Sequence, residues 1–294
     1  MDRLKRVVVG IDFSPRSMAA AEIGRDLAKS CRAELLLVHC IENAPDEEVA
    51  DSVGRPYEQL MDGVREEAQS RLESAAGSLG YEKTAAKTAF GAASDALMDS
   101  CEDSASTLLI VGDIGQAEGS GEKLLGSTAR RLLSALQCRV LIARPLKRKV
   151  IKRIAAAVDT QTDYSEILEQ ARRLAAAMGA SVDVVSVLPT GFAAGLERIM
   201  RQDQIDDAVA HSVKESAARL KAAVGEIDWR DIRVRVRVVP GSVATRLIDF
   251  ARSHATDVMV IGAAPLPDLV RYFVGSTAQQ VIEHTYCSVL VVKT

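Results

Sequence analysis

Two α/β domains in tandem, each on a doubly wound five-stranded parallel sheet, are what this sequence predicts, and three observations predict them. The first is a long-period internal repeat. KRVVVGIDFSPRS, ending its apolar run at Asp12, is echoed by KRIAAAVDTQTDYS at Asp159, and GAASDALMD from Gly91 by GSVATRLID from Gly241. TLLIVGDIG, through Gly112, returns as DVMVIGAAP, through Gly262, and GSTARRLLSALQCRVLIA from Gly126 as GSTAQQVIEHTYCSVLVV from Gly275. The residue numbers of these pairs differ by 147 to 150, far more than the 20–50 residues of a solenoid unit, so the repeat is a domain duplication. The second observation is that each half carries five short Val/Ile/Leu/Ala runs, the pattern of strands buried on both faces. The third is that helical periodicity fills the spaces between them, as right-handed crossovers require.

In the first half the predicted strands are Arg6–Ile11, Glu34–Ile41, Thr84–Ala89, Leu108–Val111 and Arg139–Ala143. In the second they are Arg153–Val158, Ser181–Leu188, Ile232–Val239, Val258–Ile261 and Ser288–Val292. Ser17–Lys29 reads as a helix with Ala19, Ala20, Ile23, Leu27 and Ala28 on one face, and longer charged helices are expected over Tyr57–Leu79 and Leu196–Val224. The sheets are expected to be Rossmann-like with flavodoxin-like strand order, and the third strand of each at an edge. Arg233, Arg235 and Arg237 alternate with valines there, which reads as edge protection by charge in preference to a nucleic-acid stripe. A proline and a basic cluster interrupt the pattern at Arg144-Pro145-Leu146-Lys147-Arg148, placing the domains at 1–147 and 148–294.

Composition narrows the function. With 48% apolar and 26% charged residues among 294, the profile is that of a globular protein, and a formal charge of −3 offers no global attraction to nucleic acid or an anionic membrane. No apolar run reaches the length of a membrane span, and the opening MDRLKRVVVGIDFS does not read as a signal peptide. Five scattered cysteines (Cys31, Cys40, Cys101, Cys138, Cys287) point to reduced thiols and a cytoplasmic setting. No cysteine pair has zinc spacing and no H-E-x-x-H occurs. His39 and Cys40 are adjacent on a strand, so their side chains diverge, and His39 reads as a packed histidine, not half of a dyad.

Doubly wound sheets bind ligands beyond the carboxyl ends of their strands. After the fourth strand the first half reads Gly112-Asp-Ile-Gly115, ten residues, then Gly126-Ser127-Thr128 opening a helix. Glycines admit close backbone approach, and hydroxyls at a helix N-terminus favour anions. The plain alternative is turn and cap chemistry alone. Asp12 could equally cap the helix that starts near Pro15 or meet a ligand, and the two roles are compatible. Neither a P-loop nor a G-x-G-x-x-G fingerprint is present.

G-x-x-G, a spacer of about nine residues and then G-[ST] after the fourth strand resembles the ATP-binding motif of the universal stress protein family. Asp12-Phe13-Ser14 after the first strand and His39-Cys40 ending the second add to the resemblance, which covers the chain twice. It implies an ATP site in the first half, with Asp12 on adenine and the Cys40 backbone seating it, in a loop shared with Phe13 and Ser14. Gly112 and Gly115 would lie along ribose and phosphates, and Gly126, Ser127 and Thr128 would receive the phosphate tail, with Mg2+ or Mn2+ held through the phosphates. A lesser second site would comprise Asp159, Val187, Gly262, Gly275, Ser276 and Thr277. The spacer is ten residues in the first half, and the second half has Pro265, which lacks an N–H, at the second glycine position. The resemblance also implies a stress-response role through nucleotide-dependent conformation or a protein partner. It further implies an intramolecular pseudo-dimer, with the final strands of the two halves as candidates for pairing, and homodimerisation. With no general base, nucleophile or Walker lysine in view, efficient hydrolysis is not expected. A slow ATPase, and a scaffold or apolar-ligand binder that takes no nucleotide, stay open as rivals.

Overall fold

The computed structural model describes residues 4–101, 105–114, 125–135, 138–146, 148, 150–190, 201–265 and 272–294. The chain divides into two units, Met1–Pro145 and Leu146–Thr294, two residues before the boundary expected from sequence. In the first unit the elements run β1 (Arg6–Ile11), α1 (Pro15–Cys31), β2 (Glu34–Ile41), α2 (Glu47–Ser52) and α3 (Tyr57–Ser78). They continue with β3 (Thr84–Phe90), α4 (Ala93–Asp99), β4 (Thr107–Gly112), α5 (Ser127–Ser134) and β5 (Arg139–Ala143). The sheet order is β3-β2-β1-β4-β5 and every pairing is parallel.

The second unit repeats the plan with β6 (Arg153–Val158), α6 (Ser165–Met178), β7 (Ser181–Leu188), α7 (Gln202–Gly225) and β8 (Val234–Pro240). Then come α8 (Val243–Ser253), β9 (Val258–Pro265), β10 (Tyr272–Phe273), α9 (Ser276–His284) and β11 (Ser288–Lys293). Its order is β8-β7-β6-β9-β11, all parallel, with β10 added antiparallel to β9. The start of the helix expected at Leu196 lies outside the described residues.

The doubly wound class stands, but the strand order corrects one expectation. An order of 3-2-1-4-5 is the first five strands of the Rossmann arrangement, not the flavodoxin order 2-1-3-4-5. The physical difference is that the second crossover continues outward past β2. The third strand is therefore an edge of its order, and the reversal falls between β1 and β4.

Burial follows the sequence pattern. Val7, Val8 and Val9 of β1 are wholly buried, as are Leu35 and Leu37 of β2 and Ile110 of β4. In α1, a Cβ on Gly24 would stand 2.7 Å from the Val9 side chain, so glycine lets this helix lie close over the central strand. On edge strand β8, Arg237 Nε lies 3.4 Å and Arg235 Nη1 4.0 Å from the buried Asp183 carboxylate of β7. These arginines are thus partly neutralised within the sheet, which supports edge protection over nucleic-acid binding. Among the described residues no helix is long and apolar enough to cross a membrane.

A buried carboxylate joins β6 to β9. Asp257 accepts the backbone N–H groups of Lys152 (2.8 Å) and Arg153 (2.9 Å), while its own N–H donates to the Arg153 carbonyl. Asp257→Ala is expected to cost about 2 kcal/mol, because two part-buried amides lose a charged acceptor. Urea unfolding read by Trp229, the single tryptophan and a buried residue of the same unit, measures this. An unchanged midpoint would refute it.

Candidate functional site

The turn after β1 is built by short polar side chains. The Asp12 carboxylate accepts the Ser14 N–H at 3.0 Å, and the Asp12 N–H donates to Ser17 Oγ at 3.3 Å. Ser14 Oγ accepts the Ser17 N–H at 3.1 Å, with Pro15 following at the first helical position. Ser14 is therefore the N-cap of α1, and Asp12 shapes the turn one step upstream. Phe13 adopts φ 61°, a left-handed conformation that costs an aromatic residue roughly 1 kcal/mol or more. Its ring packs on His39 (centroids 4.6 Å apart) and beneath the Arg71 guanidinium at 4.0 Å. The strain is offset by that stack, which fixes one shoulder of the switch point.

The other shoulder is the end of β4. Asp113, directly after Gly112, is buried and bonded by Arg16 of α1, and by Arg144 Nε at 3.1 Å. Its carbonyl accepts the Gly126 N–H at 2.7 Å. That bond pins the start of α5 to the end of β4, although Gly115 and all of the spacer but Leu125 lie outside the described residues. Gly126 is the N-cap position of α5, and Ser127 and Thr128 are its first two residues. Their hydroxyls and the positive end of the helix dipole thus meet Gly112 at one place.

Between the shoulders lies a cavity of about 460 Å3, lined by the ends of β1, β2 and β4, by α4 through Leu97, and by α5. This volume is within the range of cofactor sites. Of the sequence-predicted residues, Asp12, Cys40, Gly112, Gly126, Ser127 and Thr128 all line it. Phe13 adjoins it through His39, and Ser14 is engaged in the α1 cap. β1 and β2 pair as far as Ile11↔His39, whereas β2 runs on with β3 to Ile41. Cys40 therefore overshoots the β1 ladder where it faces the cavity. Charge is distributed unevenly, with carboxylates of Asp12 and Glu42 toward the β1 and β2 ends and a helix N-terminus at the opposite wall. Such a cavity can take a ligand with hydrogen-bond donors at one end and an anion at the other. Among the described residues no group of three His, Cys, Asp or Glu side chains is placed to hold a metal.

His39 is packed, but it also lines the cavity, and its Nδ1–H donates to the Ile11 carbonyl at 2.7 Å. The Cys40 thiol is pushed up to about 11 by burial and by Glu42. Its thiolate is scarce at neutral pH, so it is no nucleophile there. Alkylation of Cys40 by iodoacetamide at pH 7.5, followed by peptide mass mapping, should be roughly a hundredfold slower than for free cysteine. Labelling at the free rate would contradict this.

Sequence reasoning missed the Arg16–Asp113–Arg144 cluster and the cavity position of Glu42 and Asn43. A single sequence holds no sign that Arg16 meets an acid 97 positions away.

The second unit has a cavity of about 510 Å3 at the same place, lined by Asp159, Val187, Gly262, Gly275 and Thr277 among others, while Ser276 is exposed at the start of α9. Here β9 pairs with a further strand. β9 continues to Pro265 and pairs with β10 in the register Tyr272↔Pro265 and Phe273↔Ala264, so this stretch forms a hairpin. The Ala263 carbonyl, counterpart of Asp113, accepts the Thr294 N–H at 3.1 Å, and a Cβ on Gly262 would lie 2.7 Å from Thr294 Cγ2.

Comparison with known proteins agrees with the duplication. The profile of the universal stress protein family matches residues 3–144 and again 151–293. Universal stress protein Rv2624c of Mycobacterium tuberculosis is 29% identical over 295 aligned residues, covering 99% of this chain and 97% of its own. Universal stress protein MJ0531 of Methanocaldococcus jannaschii is 25% identical over 48% of this chain and 82% of its own. In fold, a universal stress protein from Archaeoglobus fulgidus superposes with TM-score 0.68 at 17% identity, covering 99% of both chains.

Proposed function

The chain belongs to the universal stress protein family in both halves, and from that premise we propose that its first unit binds ATP and acts in the stress response through nucleotide-dependent conformation. One observation carries this reading: the cavity at the β1/β4 switch point brings Asp12, Cys40, Gly112 and the α5 N-terminus together. Doubly wound sheets bind nucleotides at that point. Adenine would sit by Asp12 and the Cys40 backbone, where β2 overruns β1. The triphosphate would run past Gly112 to the first-turn amides and hydroxyls of α5. Mg2+ or Mn2+ would be held by the phosphates themselves.

The second unit is assigned no ATP, because Pro265, which has no N–H, stands at its second glycine position in strand pairing with β10, and Thr294 lies against Gly262. With no P-loop lysine motif in the sequence, the protein is read as a binder in preference to an efficient ATPase. Calorimetry of the full chain with ATP and Mg2+ tests the reading. It predicts one nucleotide per chain. No heat of binding would defeat it, and two equivalent sites would defeat the assignment of the second unit.

A further inference from the structure

Two buried thiols lie in contact behind the cleft of the first unit. Cys101 follows the last turn of α4 and Cys138 immediately precedes β5. Both are buried, and their sulfurs are 3.4 Å apart. The Cys138 thiol donates to Cys101 Sγ, and the Cys101 thiol donates to the Leu97 carbonyl at 3.3 Å. A disulfide bond needs about 2.05 Å, so closing the gap takes a shift smaller than one bond length. The pair is private to this unit. Cys287 stands where Cys138 does, but Ala251 replaces Cys101, and the Cys287 sulfur contacts Thr285 Oγ1 instead.

We propose that Cys101 and Cys138 form a reversible dithiol–disulfide pair whose oxidation resets α4, one wall of the cleft. The oxidant is a peroxide. One thiol attacks the peroxide O–O bond, giving a sulfenic acid and releasing an alcohol or water. The second thiol then displaces water from the sulfenic sulfur, so two thiols and one peroxide yield the disulfide. One thiol hydrogen leaves in each step, the first with the released alcohol or water and the second in the displaced water, so the Leu97 carbonyl loses its donor. Leu97 lines the cavity with Ala93 of the same helix, and the new bond ties that helix to the start of β5. The hydrogen bond from Cys138 and burial raise the Cys101 pKa, so the resting Cys101 thiol is protonated and reacts slowly.

This chemistry does not depend on the ATP reading, and its test needs no nucleotide. Folded full-length protein is incubated with hydrogen peroxide, blocked with an alkylating agent, digested without reductant and mapped by mass spectrometry. The expected product joins the peptides containing Cys101 and Cys138, is reversed by dithiothreitol, and forms equally in a Cys31→Ser/Cys40→Ser variant. Hydrogen exchange on the oxidised protein should be at least about fivefold slower across residues 93–101. Oxidation of Cys31 and Cys40 with no Cys101–Cys138 link would overturn the proposal, as would a link that forms only in urea. A link without any change in exchange at α4 would overturn the resetting of the cleft wall.

Discussion

Replacing Ser127 with aspartate is expected to weaken ATP binding at least about a hundredfold while leaving the fold as stable as before. The two effects separate because they depend on opposite signs of charge. Ser127 opens α5 beside the pinned Gly126, at the cavity wall proposed to receive the triphosphate. A carboxylate there meets the phosphate charge at close range in a partly enclosed cavity, and a loss of about 2.7 kcal/mol corresponds to the hundredfold. An acid in the first turn of a helix is itself favourable by roughly 0.3–1 kcal/mol, so thermal stability should hold or rise slightly. Ser127 is exposed, so nothing in the core has to move. Ser276→Asp, the same change in the second unit, should leave ATP affinity unaltered. Calorimetry and melting on the two variants give both readings. A Ser127→Asp protein that still binds ATP at full strength would remove the phosphate from this wall.

Asp113→Ala is expected to be the most destabilising single change at the site, by about 3 kcal/mol. Asp113 is buried, and Arg144 beside it is 7% exposed. Taking the carboxylate from a buried pair leaves guanidinium charge in a poorly hydrated place, which costs more than the pair itself contributes. For a domain of this size that is a fall of roughly 6–12 °C in melting temperature. The second unit carries Ala263 at the equivalent position, so alanine fits this strand end where no arginine is buried against it. Asp113→Ala combined with Arg144→Leu should therefore recover part of the loss. Arg16, which is more exposed, contributes less. A melting temperature unchanged by Asp113→Ala would mean the cluster bears no weight.

Much of the fold could be read from the sequence because the signals were local and duplicated. Runs such as Val7–Val9 and Ile110–Val111 are buried on both faces, so their composition alone marks them as central strands. Strand order was less legible. Which side of β1 receives β3 depends on where a crossover lands, and no residue within the crossover encodes that by type. The site divided in the same way. Glycines and hydroxyls carry their chemistry in their identity, so Gly112 and Gly126–Thr128 could be named before their placement was known. Asp113, Arg16 and Arg144 act by meeting across the fold, and an ion pair between distant positions leaves no periodic trace. The hairpin of the second unit had one local sign, the proline at 265, but its pairing with Tyr272 depends on register, which one sequence does not display.

ATP binding as proposed requires a polyphosphate held by the start of α5 against the end of β4. A crystal structure of the full chain with ATP and Mg2+ tests this most directly. The account predicts phosphate oxygens within hydrogen-bond distance of the Gly126–Thr128 segment and adenine beside Asp12 and Cys40 in the first unit. Nucleotide bound elsewhere on the chain, with that segment making no contact to phosphate, would contradict it.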